Sequence, residues 1–449
     1  NCREEQHTME IELGNRHRLQ ALLMFFLLIG CLSVSFFSTK NVCAQSPRQV
    51  WYPLDNGMDF GSLPLPSFLP ESDQRAIIIT SWSVGSLHDP PGTSGRTHLL
   101  AEVLRRSYRT PSSEGEIQVG GQRTWWIEKV PPKDVADHLN KIVDRFEFSL
   151  TDASLIGRVR GDLLADQKKQ LTSLVPGLED RVHDRLVPKK SGPRGRYQLG
   201  EINLQNLEEF RSETFTPVNI HIAIIGPHDP DPTLEIARKK LGKIAAGTPI
   251  AKVTPEPAQY GEIGVKKNLP GMSGAIVRSW RVPPPGTKES LALGILIPRI
   301  VRILDSDPST VQWNPTIEPE LITLIVPIPT EQTDIKTALL AAKARLDAAI
   351  NFALQSSAEM SDMQYARKTF GGLLGISRVH DETSMYNPVP AAKALMVQRI
   401  HDVDERKLIN IFGRDVESQM KSLGEEYLLP EKAVTGIVIP ASVSPTKKP

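Results

Sequence analysis

At 449 residues with 40% hydrophobic content, the chain is long enough for two or more domains with buried cores, which excludes disorder as its default state. Its 53 basic and 52 acidic side chains nearly cancel and are scattered, so nothing in its charge marks a nucleic-acid partner. All three cysteines, Cys2, Cys31 and Cys43, precede Gln45.

Residues 1–44 read as a secretory signal peptide whose natural start is Met9. Arg16, His17 and Arg18 form its basic region, Leu19 to Phe37 its apolar stretch, and Val42-Cys43-Ala44 its cleavage site. The apolar run is also near the lower length limit for a membrane anchor, and Leu28-Ile-Gly-Cys31 resembles a lipoprotein box. Membrane attachment through an uncleaved leader or a lipid on Cys31 therefore stands beside cleavage. A cleaved chain is exported to the periplasm or cell envelope without any thiol or disulfide, and it is expected to be stabilised by packing alone.

Residues 45–73 are a Pro/Gly-rich lead-in with a first strand near Trp51. Arg75 to Val84 is β-branched between turn residues and predicts a buried strand. After a turn at Gly92 to Gly95, the spacing of Leu99, Leu100, Val103 and Leu104 predicts a helix. A strand at Gln122 to Val130, helices at 134–146 and 154–174, a basic loop at Lys189 to Arg196, a strand at Val218 to Gly226 and a helix at 233–241 follow. The second half predicts strands at 275–282, 321–328 and 434–439, with helices at 337–355, 362–374, 391–398 and 402–412. Strands with helices between them in two similar halves give an α+β class with two domains. The expected boundaries are 74–247 for the first, 248–264 for a linker broken by Pro249, Pro255 and Pro257, 265–440 for the second and 441–449 for a tail.

Several stretches in order resemble the pitrilysin/insulinase family of zinc peptidases, including the mitochondrial processing peptidase and its bacterial relatives. Leu54-Asp-Asn-Gly-Met58 is similar to the family's opening L-x-N-G-L strand. Val84-Gly-Ser86 and Asp89-Pro-Pro-Gly-Thr-Ser-Gly-Arg-Thr-His98 follow V-G-S-x-x-E-P-x-G-x-S-G-L-A-H. The likeness runs over nearly all of residues 50–440. It implies two homologous domains, each a mainly antiparallel sheet packed with helices, that together form half of a clam-shell chamber.

In the H-x-x-E-H motif a helix offers two histidines to one metal and a glutamate as general base. Here those five positions read His98-Leu-Leu-Ala101-Glu102. By resemblance, His98, Glu102 and Asp166 form a vestigial metal set, Asp166 standing for the distal ligand and Glu179 being the fallback. The short interval before Asp166 implies a deletion between Tyr108 and Gly121. Arg367 and Tyr386 are the loosely placed counterparts of the family's substrate-gripping arginine and tyrosine. Ala101 cannot accept a proton, which removes general-base catalysis worth roughly 10²- to 10⁴-fold. Glu102 also stands three and four residues before Arg105 and Arg106, the spacing of helix ion pairs.

The expected function is that of a secreted, catalytically inactive homologue, a non-catalytic subunit or peptide-binding partner of an active homologue, without cofactor. Two alternatives remain open. One is a zinc metalloendopeptidase with a rearranged His98/Glu102/Asp166 site; the other is a self-associating envelope scaffold, a homodimer, binding unfolded peptides by strand addition.

Overall fold

In a computed structural model the described residues are 50–441, apart from 148, 173, 189–196, 255, 271–273, 284–286, 305–310, 314–320, 329–334, 357–358, 360, 363–386 and 403–415. The leader, Lys189 to Arg196, Arg367, Tyr386, and almost all of the tail and of the helices expected at 362–374 and 402–412 lie outside them. Eleven strands are described: β1 (Trp51–Pro53), β2 (Asp59–Pro64), β3 (Ala76–Trp82), β4 (Glu114–Val119), β5 (Thr124–Val130), β6 (Ile220–Gly226), β7 (Gly261–Pro270), β8 (Gly274–Arg281), β9 (Val311–Trp313), β10 (Leu321–Ile328) and β11 (Ala433–Ala441). The helices are α1 (Arg96–Ser107), α2 (Val135–Glu147), α3 (Ala153–Thr172), α4 (Leu174–Leu186), α5 (Leu204–Thr214), α6 (Pro230–Lys239), α7 (Lys288–Ile303), α8 (Ile335–Gln355), α9 (Val389–Ile400) and α10 (Val416–Tyr427).

The strands form two sheets, ordered β1-β2-β6-β3-β5-β4 and β7-β11-β8-β10-β9. Without β1 the two orders are the same: first, fifth, second, fourth, third in chain order. In each sheet the outer pair, β2 with β6 and β7 with β11, is parallel, and the other pairs are antiparallel. The fold is therefore α+β, built on two sheets of one topology. Strand β4 occupies the stretch where a deletion was expected, and β7 begins inside residues 248–264.

Strands β3 and β6 are buried nearly throughout, so both faces of the first sheet need cover. On one face Ile78, Trp82, Trp126, Ile222 and Ile224 join a core closed by α1, α2, α3 and α5, with Phe210 and Phe215 beside Trp82. The opposite face of β3 and β6 is packed by α9, which comes from the second half of the chain. The converse holds for the second sheet: α4, from the first half, lies on β8 and β11, and Leu178 and Val182 pack with Val277, Val434 and Val438. A Cβ at Gly436 would stand 2.6 Å from Leu178, so a glycine in β11 is what lets α4 approach this closely. The chain from Trp51 onward forms one compact unit. Among the described residues no helix is long and apolar enough to cross a membrane.

Inside the first half, Glu128 of β5 and Arg145 of α2 form a bidentate pair (Nη2 to Oε1 2.6 Å, Nη1 to Oε2 3.0 Å) with side chains only 2% and 1% exposed. Arg145 Nη2 also donates to Tyr108 O (3.0 Å). Burial raises the Glu128 carboxyl, but Arg145 and His138 more than reverse this and hold it well below the usual carboxylate range. Glu128→Leu should leave Arg145 charged and buried, costing about 3–5 kcal/mol. The double variant Glu128→Leu/Arg145→Met should lie closer to wild type than either single variant by urea unfolding.

At the contact of α4 with the second sheet, His183 Nε2 shares a hydrogen with Thr323 Oγ1 (2.8 Å), and Thr323 Oγ1 with Ser279 Oγ (2.7 Å). Burial, with Asp180 beside it, pushes the Glu179 carboxyl from 4.5 up to about 7. A raised carboxyl stabilises the fold fully below the unfolded value and loses that contribution as pH rises through the folded one. Glu179→Gln should therefore match wild type below pH 4.5 and exceed its stability by about 1–3 kcal/mol above pH 7. Denaturation midpoints across that range measure the difference.

Candidate functional site

Helix α1 is seated by the turn that precedes it. Asp89, buried at 4% exposure, accepts from Gly95 N (2.8 Å), Thr97 N (2.8 Å) and Thr97 Oγ1 (2.6 Å). The carboxylate thus satisfies donors at the helix start that have no partner inside the helix. Gly95 stands in the left-handed region at φ 91°, and a Cβ there would meet the Tyr197 ring at 2.4 Å. The glycine makes room for an aromatic ring that closes over the first position of the motif.

That position, His98, is half-buried and shares a hydrogen between Nδ1 and the Tyr197 hydroxyl at 2.7 Å, the two rings edge to face. Burial lowers the His98 pKa against the opposing influence of Glu102 and Asp166, and burial raises the Tyr197 hydroxyl. Both groups are neutral near pH 7. Ala101 is fully buried in the core, its carbonyl accepting from Trp126 Nε1 (3.3 Å). Glu102 Oε2 is held by Arg105 Nη2 (2.8 Å) and Arg106 Nε (3.2 Å). Arg106 in turn donates to Asp162 Oδ2 of α3 (2.6 Å), while Asp166, one turn further on, is exposed.

His98, Glu102 and Asp166 are thus near enough to influence one another's charge, but they do not assemble into a ligand set. One imidazole nitrogen is bonded to Tyr197, and the Glu102 carboxylate is occupied by two guanidinium groups. Among the described residues no group of three or more His, Cys, Asp or Glu side chains is arranged to hold a metal ion. The donor set does not fit a zinc site with three protein ligands around an open position. His221 and His228 have structural partners: Asp59 Oδ2 at 3.1 Å for the first, and Ser62 Oγ and Gly226 O, both at 2.9 Å, for the second.

Tyr197 was not legible as a site residue, because it follows the basic stretch Lys189 to Arg196 and reaches His98 only through the fold. Asp162 was missed for a different reason. It lies one helical turn before Asp166, and sequence spacing alone does not say which acid faces α1.

Position 101, where the resemblance expects a general base, holds a buried alanine in this fold. Residues 201–297 match the family described as Peptidase M16 inactive domain. Among solved structures, the chain is similar to a protease from Helicobacter pylori at 12% identity and a TM-score of 0.67, over 88% of this chain and 100% of that one. It is also similar to a peptidase M16 inactive domain from Pseudomonas fluorescens at 12% identity and a TM-score of 0.63, over 89% and 99%. A chain of complex III2 from Candida albicans is similar at 13% identity and a TM-score of 0.61, over 88% and 98%. At these identities the likeness is one of fold. No curated protein sequence matches the chain. The matched segment and the shared fold bear out the resemblance to pitrilysin-type peptidases.

Two glycines of the turn separate steric from conformational cost. Gly92 also has positive φ (82°), but a Cβ there meets open space, so Gly92→Ala should cost only about 1 kcal/mol. Gly95→Ala adds a collision with Tyr197 and should cost at least about 2 kcal/mol more. Urea unfolding of both variants provides the comparison.

Proposed function

We propose that this protein is an exported, catalytically inactive homologue of M16-type peptidases that serves as the non-catalytic subunit or peptide-binding partner of an active homologue. The observation that carries the reading is Ala101: the position of the general base holds a methyl group buried in the core, so no side chain there can take a proton from water. The occupied Glu102 carboxylate and the match of residues 201–297 to an inactive domain support it. The partner role draws support from a structural neighbour that is part of a larger complex. Export rests on the leader read from residues 1–44. We assign peptide binding to β4, an edge strand beside α1 that pairs only with β5 among the described strands, the position at which an added strand extends a sheet.

Protein purified from its native source should carry less than about a tenth of an equivalent of zinc, where an intact three-ligand site holds one. It should cleave no peptide and should co-purify with a homologue that retains H-x-x-E-H. Stoichiometric zinc together with peptide cleavage overturns the inactive reading, and a lone monomer under all native conditions overturns the partner role.

A further inference from the structure

Residues 247–253, which lead from the first half toward the second sheet, are held against the first half by three side chains. Asn219 donates from Nδ2 to Thr248 O (2.9 Å) and accepts from Ile250 N (2.8 Å). Gln122 pairs both backbone groups of Val253, accepting from its N–H at 3.1 Å and donating to its carbonyl. His88 lies between these two: its Nε2 is 3.3 Å from Ala251 O, and its Nδ1 accepts from Gly85 N at 3.1 Å.

The two amides do not titrate, whereas the imidazole does. A backbone N–H can only donate, so Nδ1 must carry a lone pair; a carbonyl can only accept, so Nε2 must carry the hydrogen. Only the neutral Nε2–H tautomer satisfies both. The charged ring has two donors, and Gly85 N then loses its acceptor. We infer that His88 is an acid-sensitive brace: while its imidazole is neutral it joins the linker at Ala251 to Gly85 N, and when it is protonated it keeps the Ala251 contact but withdraws the acceptor from Gly85 N, which loosens the Gly85 turn.

The location gives the brace a consequence. Gly85 is wedged where a Cβ would stand 2.5 Å from Gly121 O. Ser86 N and Leu87 N donate to Gly120 O and Gly121 O (both 2.8 Å), and Thr97 of α1 donates to Gly85 O (3.3 Å). The turn therefore joins α1, the start of β5 and the linker. The charged side chains nearest the brace are Asp89, committed to Gly95 and Thr97, and Arg123 and Lys252, which act on His401; of those on α1, Arg96 faces Asp89, and Arg105 and Arg106 pair with Glu102. Burial lowers the His88 pKa from 6.5, against the backbone contacts at Ala251 and Gly85. A lowered pKa keeps the Gly85 contact intact above 6.5 and breaks it as pH falls through the folded value. The inference is independent of the peptidase reading, since no residue of the degenerate motif takes part.

Nitrogen NMR of the full chain should show His88 as the neutral Nε2–H tautomer at neutral pH. Amide exchange, corrected for its intrinsic pH dependence, should rise about five- to tenfold around Gly85, the worth of one hydrogen bond, as pH falls from neutral through the protonation of His88 followed by its own ring nitrogens. In His88→Asn, which has an acceptor and a donor but no titration, the corrected rates should be independent of pH. An Nδ1–H tautomer overturns the inference, as does the same acid response in wild type and His88→Asn.

Discussion

Each sheet is apolar on both faces, and on one of them it is covered by a helix supplied from the other half of the chain. This exchange is the constraint on which the remaining architecture rests. Helix α9 buries Ala391, Ala392, Ala394, Leu395, Met396 and Val397, and burying each of the larger three is worth about 1.5–3 kcal/mol. The ion pair that accompanies it, Arg399 with Asp59 (2.7 Å), has Arg399 39% exposed, which limits its contribution to about 1 kcal/mol or less. Packing therefore holds the helix, and the ion pair orients its C-terminal end. Because α4 and α9 lie on corresponding strands of the two sheets, removing either would expose apolar surface in the half it does not belong to. The two halves are therefore held together by helices packed across them, and not by the linker alone.

The same logic explains how the turn before α1 keeps its shape whatever stands at the positions that the resemblance assigns to chemistry. Asp89 satisfies three donors at the start of α1, Gly85 and Gly95 permit two close approaches, and Tyr197 closes over His98. None of these roles depends on what stands at positions 101 and 102. The glycine-rich turn is required by the geometry of the helix start, while the proton-transfer and ligand positions lie further along the helix.

The strands that sequence made legible are those buried on both faces: continuous apolar runs between turn residues describe β3, β5, β6, β8, β10 and β11. Two of the strands that escaped it, β4 and β7, are edges. Strand β4 reads Glu-Gly-Glu-Ile-Gln-Val and β7 begins Gly-Glu-Ile-Gly, and glycine and charge lower strand propensity while suiting an unpaired edge. Helix α7 was hidden by Pro298 within a nearly unbroken apolar run, and α4 by Pro176 and Gly177 in its first turn. The segment of α9 was legible as a helix, but its place on the first sheet was not, because an alanine-rich face does not name the surface it meets. The broken motif was plain from three letters. What replaced it required coordinates, since Tyr197 and Asp162 reach α1 only through long-range contacts.

In a small zinc domain the metal supplies folding energy, so loss of a ligand unfolds the protein. In this chain α1 meets α3 through Glu102, Arg106 and Asp162 without any ion, but Arg106 is 31% and Asp162 57% exposed, so the bridge is worth about 1 kcal/mol or less. Such a bridge cannot be what fixes α1. Its position follows from the buried Asp89 cap and from Leu99, Leu100, Val103 and Leu104, packed in one core with Ile156, Val159 and Leu163 of α3. Stability is therefore uncoupled from positions 98, 102 and 166, and folding does not require a metal there. The edge of β4 lies beside a firmly seated helix, and the proposed binding role rests on that surface without needing a base at position 101.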